Sequence, residues 1–476
     1  MSSLRRARLR ADATNILRLS GPLLVNNLAT AGMTTADTVM AGRLGALELA
    51  AVALGANYVS LFYLGGLGLL MALSPTVAHA VGAGRDREAG GYFRQALWLS
   101  LGVTTVVLAG LAFTGPVLRA IGTDPAVADL AARYVGAVAF GMPAMFAFLA
   151  LRFSSEGLGW TRPILFTAVL AFAVNVSGNW VFIHGRFGMP ALGAVGCGVA
   201  TAITQWLIFA VLWTYVRRHR AYRPYAPLAR FEGPDPRRLR EILALGLPIC
   251  GSVLAEGALF ASAGLTMGGF GATVVAAHAI AINYAALMFM VPLSIHSATT
   301  IHVGHRAGAG RWREARDAGW TGAAICVATM AVSALVLLGA RGAIAALYSE
   351  DAAVVGLAAL LLLYAAAFQV ADGLQVGMAG ALRGFKDARV PMLLCIAAYW
   401  GLGFPLAWGL GVAAGHGAPG VWTGLIAGLF AAASMLTLRW RHVTGRAVAA
   451  GERGAIHPEK PVQHRRGGGP AAEVES

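Results

Sequence analysis

Three carboxylates lie inside long apolar stretches of this sequence, where a charged group is costly to hold. Asp37 occurs in Thr-Thr-Ala-Asp-Thr-Val-Met, Glu256 in Val-Leu-Ala-Glu-Gly-Ala-Leu, and Asp372 in Gln-Val-Ala-Asp-Gly-Leu-Gln. Acids within a membrane usually mark the paths of ions, protons or charged substrates, because burying them is expensive. A carboxylate there can carry a proton or bind a cation. We therefore interpret the three acids as candidate coupling groups. The alternative is that each is hydrogen-bonded and merely orders the packing of helices.

Two asparagines and three histidines are the other polar candidates. Asn175 and Asn179 are one helical turn apart and so share a face, where two carboxamides can ligate a cation or hydrogen-bond an acid. Simple hydrogen bonding between helices explains them equally well. His278, His296 and His302 do not form a metal-binding pattern, and we favour packing or interfacial roles for them.

Catalytic and nucleotide-binding motifs are missing from the sequence. It has no Gly-x-x-x-x-Gly-Lys-Ser/Thr loop, no His-Glu-x-x-His and no Gly-x-Ser-x-Gly. ATP is therefore not expected to supply energy within this chain. We predict a protein that is not an enzyme and that needs no cofactor.

The composition is that of a polytopic membrane protein. Hydrophobic residues make up 57% of the chain and charged residues 12%, with a mean hydropathy of +0.66. Windows such as Ala50–Ala80, Leu97–Val117 and Val354–Ala371 meet or approach the roughly 20 apolar residues that cross a bilayer. Long apolar runs without alternation favour helices over a β-barrel. The predicted fold is therefore an all-α membrane protein.

The apolar pattern predicts twelve transmembrane helices. Their expected ranges are 16–40, 48–80, 95–117, 127–150, 163–184, 192–216, 241–267, 274–302, 318–341, 352–378, 391–411 and 420–438. The segments around them are a cytoplasmic N-terminus at 1–15, an N-lobe at 16–216, a cytoplasmic linker at 217–240, a C-lobe at 241–438, and a disordered cytoplasmic tail at 439–476.

The placement of the charges explains the net charge of +15 without a nucleic-acid partner. Of the 37 lysines and arginines, all but five fall on one side of the predicted helices. The five are Arg43, Arg119, Arg133, Arg186 and Arg341. By the positive-inside rule both termini are expected in the cytoplasm. Anionic lipid headgroups are the expected contacts of the basic side.

The second half of the chain repeats the first after about 226 residues. The repeated features include Pro22 and Pro248, Asn57 and Asn283, and the Gly-Ala-Gly-Arg loops at 82–85 and 308–311. Because each copy has six helices, both enter the membrane in the same direction, as a parallel repeat. We therefore predict two pseudo-symmetric six-helix lobes around a shared pathway. The three acids and the asparagine pair are not repeated, so we assign coupling to them and the frame to the repeated residues.

Several motifs resemble those of multidrug and toxic compound extrusion (MATE) transporters of the NorM branch. They are Asp-Thr-Val-Met-Ala-Gly-Arg-Leu-Gly-Ala from Asp37, Val-Ala-Ala-His from Val275, Leu-Arg-Gly-Phe-Lys-Asp from Leu382, and Gly-Ala-Val-Gly-Cys-Gly-Val-Ala from Gly193. The resemblance covers about residues 15 to 440. It implies two lobes that open alternately to either side of a bacterial inner membrane. It also implies export of cationic, often aromatic, drugs or toxins in exchange for Na⁺ or H⁺.

The resemblance also assigns roles to the candidate residues. Asp37 matches the first-helix acid of the family, with Asn175 and Asn179 as its polar partners. Glu256 and Asp372 match acids of the C-lobe cation site, which implies a Na⁺ site there. Phe368 stands where some relatives have a tyrosine, and Ala279 stands where glutamine is common. The coupling ion therefore stays open between Na⁺ and H⁺.

Two alternatives remain. A flippase for lipid-linked precursors belongs to the same superfamily and would favour arginines in its cavity, where Arg152 and Arg383 are the candidates. A non-transporting membrane protein, such as an embedded enzyme, a scaffold or a receptor, is disfavoured by the near-complete repeat. Because one chain contains both lobes, a monomer is sufficient for the expected mechanism.

Overall fold

The computed structural model describes residues 3–228 and 231–456, and every regular element in those ranges is a helix. The elements are α1 (Ser3–Gly42), α2 (Ala46–Leu70), α3 (Leu73–Gly82), α4 (Asp86–Leu111), α5 (Thr114–Ala120), α6 (Pro125–Ala139), α7 (Met142–Gly157), α8 (Arg162–His184), α9 (Ala194–Arg218), α10 (Pro236–Gly268), α11 (Ala272–Gly308), α12 (Trp312–Ala346), α13 (Ala352–Gly384), α14 (Arg389–Ile396), α15 (Phe404–Trp408) and α16 (Gly417–Ile456). The predicted all-α membrane fold is confirmed.

Across residues 3–228 and 231–456, twelve helical segments follow one another in the predicted order, and most are apolar enough to span a bilayer. Within the described ranges, ten pass a test of length and hydropathy, and α6 with α7 makes an eleventh that bends by 47°. The first segment, α1, is long enough but does not pass, since Asn26, Asn27 and Asp37 interrupt its apolar run.

Several predicted helices are broken by local features of the sequence. The bend between α6 and α7 lies just before Pro143, which stands in the first turn of α7, where a helix tolerates proline. The Asp124 side chain starts α6 by accepting a 2.8 Å hydrogen bond from the Ala126 backbone N–H. The segment 389–413 contains two π-helical stretches, Ala397–Gly403 and Gly409–Ala413.

Both ends of the chain are more helical than the sequence predicted. The first helix begins at Ser3, not near residue 16, and α16 continues to Ile456. The expected disorder from residue 439 therefore does not hold for 439–456, and 457–476 lies outside the described residues. Trp440 and Thr444 are fully buried, and this packing stabilises a segment whose polar composition suggested a tail.

Two large hydrophobic clusters form the cores of the lobes, and α10 takes part in both. Ile242 and Ile249, in its first half, pack with the helices of the first repeat. Leu259 and Met267, in its second half, pack with those of the second repeat. The start of α10 therefore joins the lobes at one end of the molecule. We call this end, which carries residues 83–85, 219–228, 231–235 and 309–311, the basic end.

Close packing between α15 and α16 generates a prediction about stability. A Cβ atom at Gly424 would meet the backbone of Ala407, whereas one at Gly445 on the same helix would meet nothing within 4 Å. We expect Gly424→Val to cost about 1–3 kcal/mol through overpacking. Its melting temperature in detergent should fall below that of Gly445→Val. Equal melting temperatures would contradict this packing.

Candidate functional site

The first candidate site joins α1, α8 and α9 within the N-lobe. The Asn179 side-chain amide donates to Oδ1 of Asp37 at 2.5 Å, and Asn175 donates to the Thr201 hydroxyl at 3.3 Å. Asn179 also donates to Oδ1 of Asn175 at 3.4 Å. The structure thus brings together all three residues that the sequence placed in this lobe. Thr201 adds a hydroxyl that the sequence analysis missed.

The polar side chains of this N-lobe cluster are largely buried among apolar residues. Asn175 and Asn179 are 1% and 0% exposed, since α8 presents both to the interior one turn apart. The Asn179 side-chain oxygen is buried and has no hydrogen-bond donor among the described residues. Asp37 is only partly buried, so its carboxylate lies between the buried asparagines and the exposed part of α1. Such a carboxylate can exchange a proton or a cation while the amides hold its position.

The second candidate site is a cavity in the C-lobe that contains Glu256. Its lining residues are Ile249, Ser252, Glu256, Gln375, Ala379, Arg383, Asp387, Ala388, Pro391, Cys395 and Tyr399. They come from α10, α13, the turn after α13 and the broken segment 389–413. The cavity therefore combines one intramembrane acid with hydroxyl and amide oxygens, the ligand types that hard cations prefer.

Asp372 lies deeper than Glu256, in the middle of α13. It is 2% exposed and does not line the cavity wall. Gln369 and Gln375 flank it at one helical turn on either side, and the side-chain oxygens of both are buried without hydrogen-bond donors among the described residues. The Tyr399 hydroxyl, which lies beside the Cys395 thiol, likewise makes no hydrogen bond of standard geometry to the described residues. Buried polar atoms normally have partners, so this unpaired set is suited to an ion or water.

Phe368, one turn before Asp372, stands where some relatives have a tyrosine, and its ring packs among other aromatic side chains. The Phe368 ring packs edge-on against Phe260 and Trp422, each at 5.8 Å between centroids. This position therefore contributes apolar packing and no oxygen ligand. Within the described ranges, no group of three or more His, Cys, Asp or Glu side chains is placed to hold a metal ion. A cation at Glu256 and Asp372 would thus need amide, hydroxyl or water oxygens to complete its shell.

Another buried acid, Glu156, was missed by the sequence analysis. It is 1% exposed and accepts a 2.8 Å hydrogen bond from Nε of Arg152, one turn earlier on α7. With its amide in the orientation that satisfies both groups, Asn26 also accepts from Arg152 at 2.9 and 3.2 Å. The predicted helix ended at residue 150, so the prediction left Glu156 outside the membrane-spanning segments. The spacing of Arg152 and Glu156, four residues apart, could have predicted an ion pair on one helix.

The two arginines of interest have different surroundings. Arg152 is neutralised by Glu156, whereas Arg383 lines the same cavity as Glu256 and reaches the Met71 sulfur at 3.7 Å. The C-lobe cavity thus holds both signs of charge. Of the three histidines singled out in the sequence, His278 packs against Trp422, His296 donates to the Val376 carbonyl, and His302 hydrogen-bonds to Asp12.

Comparison with known proteins identifies close relatives of the whole chain. The MatE family model matches residues 22–181 and 248–408, one copy in each repeat. The multidrug resistance protein PmpM of Pseudomonas aeruginosa is 39% identical over 451 residues, which cover 94% of each chain. The multidrug resistance protein NorM of Vibrio vulnificus is 38% identical over 441 residues, 91% of this chain and 97% of that protein.

Solved structures share the fold at lower identity. A multidrug resistance MATE family transporter in an outward-facing conformation aligns with a TM-score of 0.84 at 22% identity, over 92% of this chain and 97% of its own. The eukaryotic MATE transporter AtDTX14 aligns with a TM-score of 0.82 at 20% identity, over 93% of this chain and all of its own. The two-lobe architecture is therefore the same in all three.

The buried Arg152–Glu156 pair generates a second prediction. Arg152→Met leaves a buried carboxylate without its partner and should cost about 3–5 kcal/mol. Arg152→Met combined with Glu156→Gln removes both charges and should recover most of that loss. Arg119→Met at the exposed Arg119–Asp129 pair is the control and should change little, since surface pairs contribute about 0–1 kcal/mol. Melting temperatures in detergent test the set, and a double variant as unstable as Arg152→Met would contradict it.

Proposed function

The chain belongs to the MatE family of multidrug and toxic compound extrusion transporters, and we propose that it exports cationic, often aromatic drugs in exchange for Na⁺ or H⁺. The observation that carries this proposal is the set of unpaired buried oxygens around Asp372 beside the Glu256 cavity. Membership of a transporter family agrees with the prediction that the protein is not an enzyme. The names of the relatives support multidrug cargo.

The proposed mechanism is competition between the ion and the drug for the acidic groups. When the lobes open outward, Na⁺ or H⁺ reaches Glu256 and Asp372 and lowers the affinity for a cationic drug. Return to the inward-open state exposes ionised carboxylates to cytoplasmic drug. Coupling must be reciprocal: whatever the ion does to drug affinity, the drug does to ion affinity. Asp37, with Asn175 and Asn179, provides the matching group in the N-lobe.

The placement of charge supports an orientation and a location. In the sequence, all but five of the 37 lysines and arginines fall on the same side of the predicted helices as the two Gly-Ala-Gly-Arg loops. We therefore place the basic end, with both termini, in the cytoplasm of a bacterium whose inner membrane the protein spans. Anionic lipids are the expected neighbours of this end. Because one chain holds both lobes, a monomer is sufficient for this mechanism.

Arg383 favours a second candidate function, a flippase for lipid-linked precursors. An arginine on the cavity wall can bind a pyrophosphate, as such a cargo requires. Glu256 in the same cavity opposes an anionic cargo, so the drug antiporter is preferred. Transport of a cationic dye, with no effect of added pyrophosphate-linked lipid, distinguishes the two functions.

The main test uses purified protein in liposomes loaded with a fluorescent cationic dye. An inward-directed Na⁺ gradient and an H⁺ gradient are applied separately. We expect at least one gradient to drive dye release, because ion loading favours drug dissociation. The responsive gradient identifies the coupling ion. Dye release that ignores both gradients would contradict antiport.

Substitution of the acids tests their roles in the same assay. Glu256→Gln, Asp372→Asn and Asp37→Asn remove one charge each with little change of shape. We expect each to lower gradient-driven release on the order of tenfold, within the usual range of coupling factors. Glu350→Gln, at an exposed loop residue, is the matched control and should behave as wild type. Full activity of both Glu256→Gln and Asp372→Asn would remove the C-lobe site from the mechanism.

A further inference from the structure

Among the hydrogen bonds that connect the lobes at the basic end, one pair is related by the repeat. His79 on α3 donates from Nε2 to the Gly384 carbonyl at the end of α13, at 2.7 Å. His305 on α11 donates from Nε2 to the Gly157 carbonyl at the end of α7, at 2.8 Å. The histidines are 226 positions apart and the glycines 227. Because a carbonyl can only accept, Nε2 carries the hydrogen in both rings.

The backbones of α3 and α11 also touch where these histidines lie. A Cβ atom at Gly82 would collide with the His305 carbonyl, and one at Gly308 would collide with the His79 carbonyl. These glycines are again 226 positions apart. Only a residue without a side chain permits this approach from both sides. The crossing therefore has the two-fold symmetry of the repeat down to its atomic contacts.

Hydrogen bonds and ion pairs between the two halves of the chain surround this crossing. Asp12 on α1, which is fully buried, accepts from Arg306 at 2.5 Å and from His302 at 2.9 Å. On the other side, Glu241 of α10 accepts from the Tyr92 hydroxyl at 2.6 Å and from Lys386 at 2.8 Å. Each of these groups bridges residues from both halves of the chain.

Repeat-related tyrosines at the opposite end do not connect the lobes. The Tyr58 hydroxyl donates to the Gly110 carbonyl at 3.0 Å, within the N-lobe. The Tyr284 hydroxyl pairs with the Ser333 hydroxyl at 3.2 Å, within the C-lobe. These symmetric bonds can persist when the lobes rotate relative to each other. The histidine bonds must break, because donor and acceptor belong to different lobes.

We infer that His79 and His305 form a symmetric latch that holds the basic end shut and must release in every transport cycle. The latch rests on the alternating access of the proposed function, but on neither its cargo nor its coupling ion. The two bonds hold the same two surfaces together, so they break in a single opening event. Each histidine is a positioning residue that favours the state closed at the basic end over the state open there.

The test measures the distance across the latch directly. Ala83→Cys and Ala309→Cys, at exposed repeat-related positions beside the crossing, are labelled with nitroxides in a chain whose four native cysteines are replaced. Distances come from pulsed electron resonance of the protein in lipid nanodiscs. We expect His79→Ala and His305→Ala each to enlarge the long-distance population roughly two- to tenfold relative to the short one, as loss of one hydrogen bond implies. Both changes together should enlarge it further.

His296→Ala, which removes a 2.8 Å bond to Val376 within the C-lobe, is the matched control and should leave the distribution unchanged.

Two further variants separate the latch from general damage. Glutamine keeps a donor at similar reach, so His79→Gln and His305→Gln should retain the short distance. Gly82→Ala should enlarge the long-distance population by wedging the crossing apart, whereas Gly65→Ala, with nothing within 4 Å of its added methyl, should not. Wild-type distributions in the alanine variants of both histidines and in Gly82→Ala would overturn the latch. So would an equal shift in His296→Ala.

The outcome is independent of the transport assay. If the histidine variants left the distance distribution unchanged while dye antiport was intact, this inference alone would be refuted. A latch response in a protein that fails to exchange dye for either ion would refute the proposed cargo or coupling and leave the latch standing.

Discussion

The structure depends on one constraint, the cost of an unsatisfied polar group in hydrocarbon. It confines the backbone to helices, and it confines polar side chains to the interior of each lobe or to pairs. Asn175 and Asn179 face inward, and Arg152 is held by Glu156. Where polar atoms stay unpaired despite burial, as around Asp372, they mark a place where ions or water are expected.

The same constraint bears on the broken helical segment beside the Glu256 cavity. Tyr399, which lines this cavity, lies in the first of the two π-helical stretches of the segment 389–413, and π-turns are frequent at functional sites. The Trp400 indole donates to the Ala255 carbonyl at 3.2 Å, next to Glu256. This contact fixes the broken segment against α10 at the level of the acid.

Much of the fold and part of the site could be predicted from the sequence, for identifiable reasons. Asp37 and the asparagine pair were predicted together and do meet, because polar groups buried in apolar helices require hydrogen-bond partners. Hydropathy predicted the order of the helices, but it was insensitive to the break before Pro143 and to the helix beyond Arg439, which depend on tertiary packing. Glu156 was missed because a helix end was placed too early. The contacts of His79 and His305 lie beyond pattern reading, since only the meeting of two lobes creates them.

The reciprocity of the histidine contacts has a consequence for how such a protein can arise. In a two-fold dimer of identical half-length chains, residue i of one copy meets residue j of the other, and j meets i. One histidine and one glycine in such a chain would produce both bonds at once. Fusion of the two copies would keep that inherited contact intact. Asp37, Glu256 and Asp372 could then diverge, since after fusion a change in one half is no longer copied into the other.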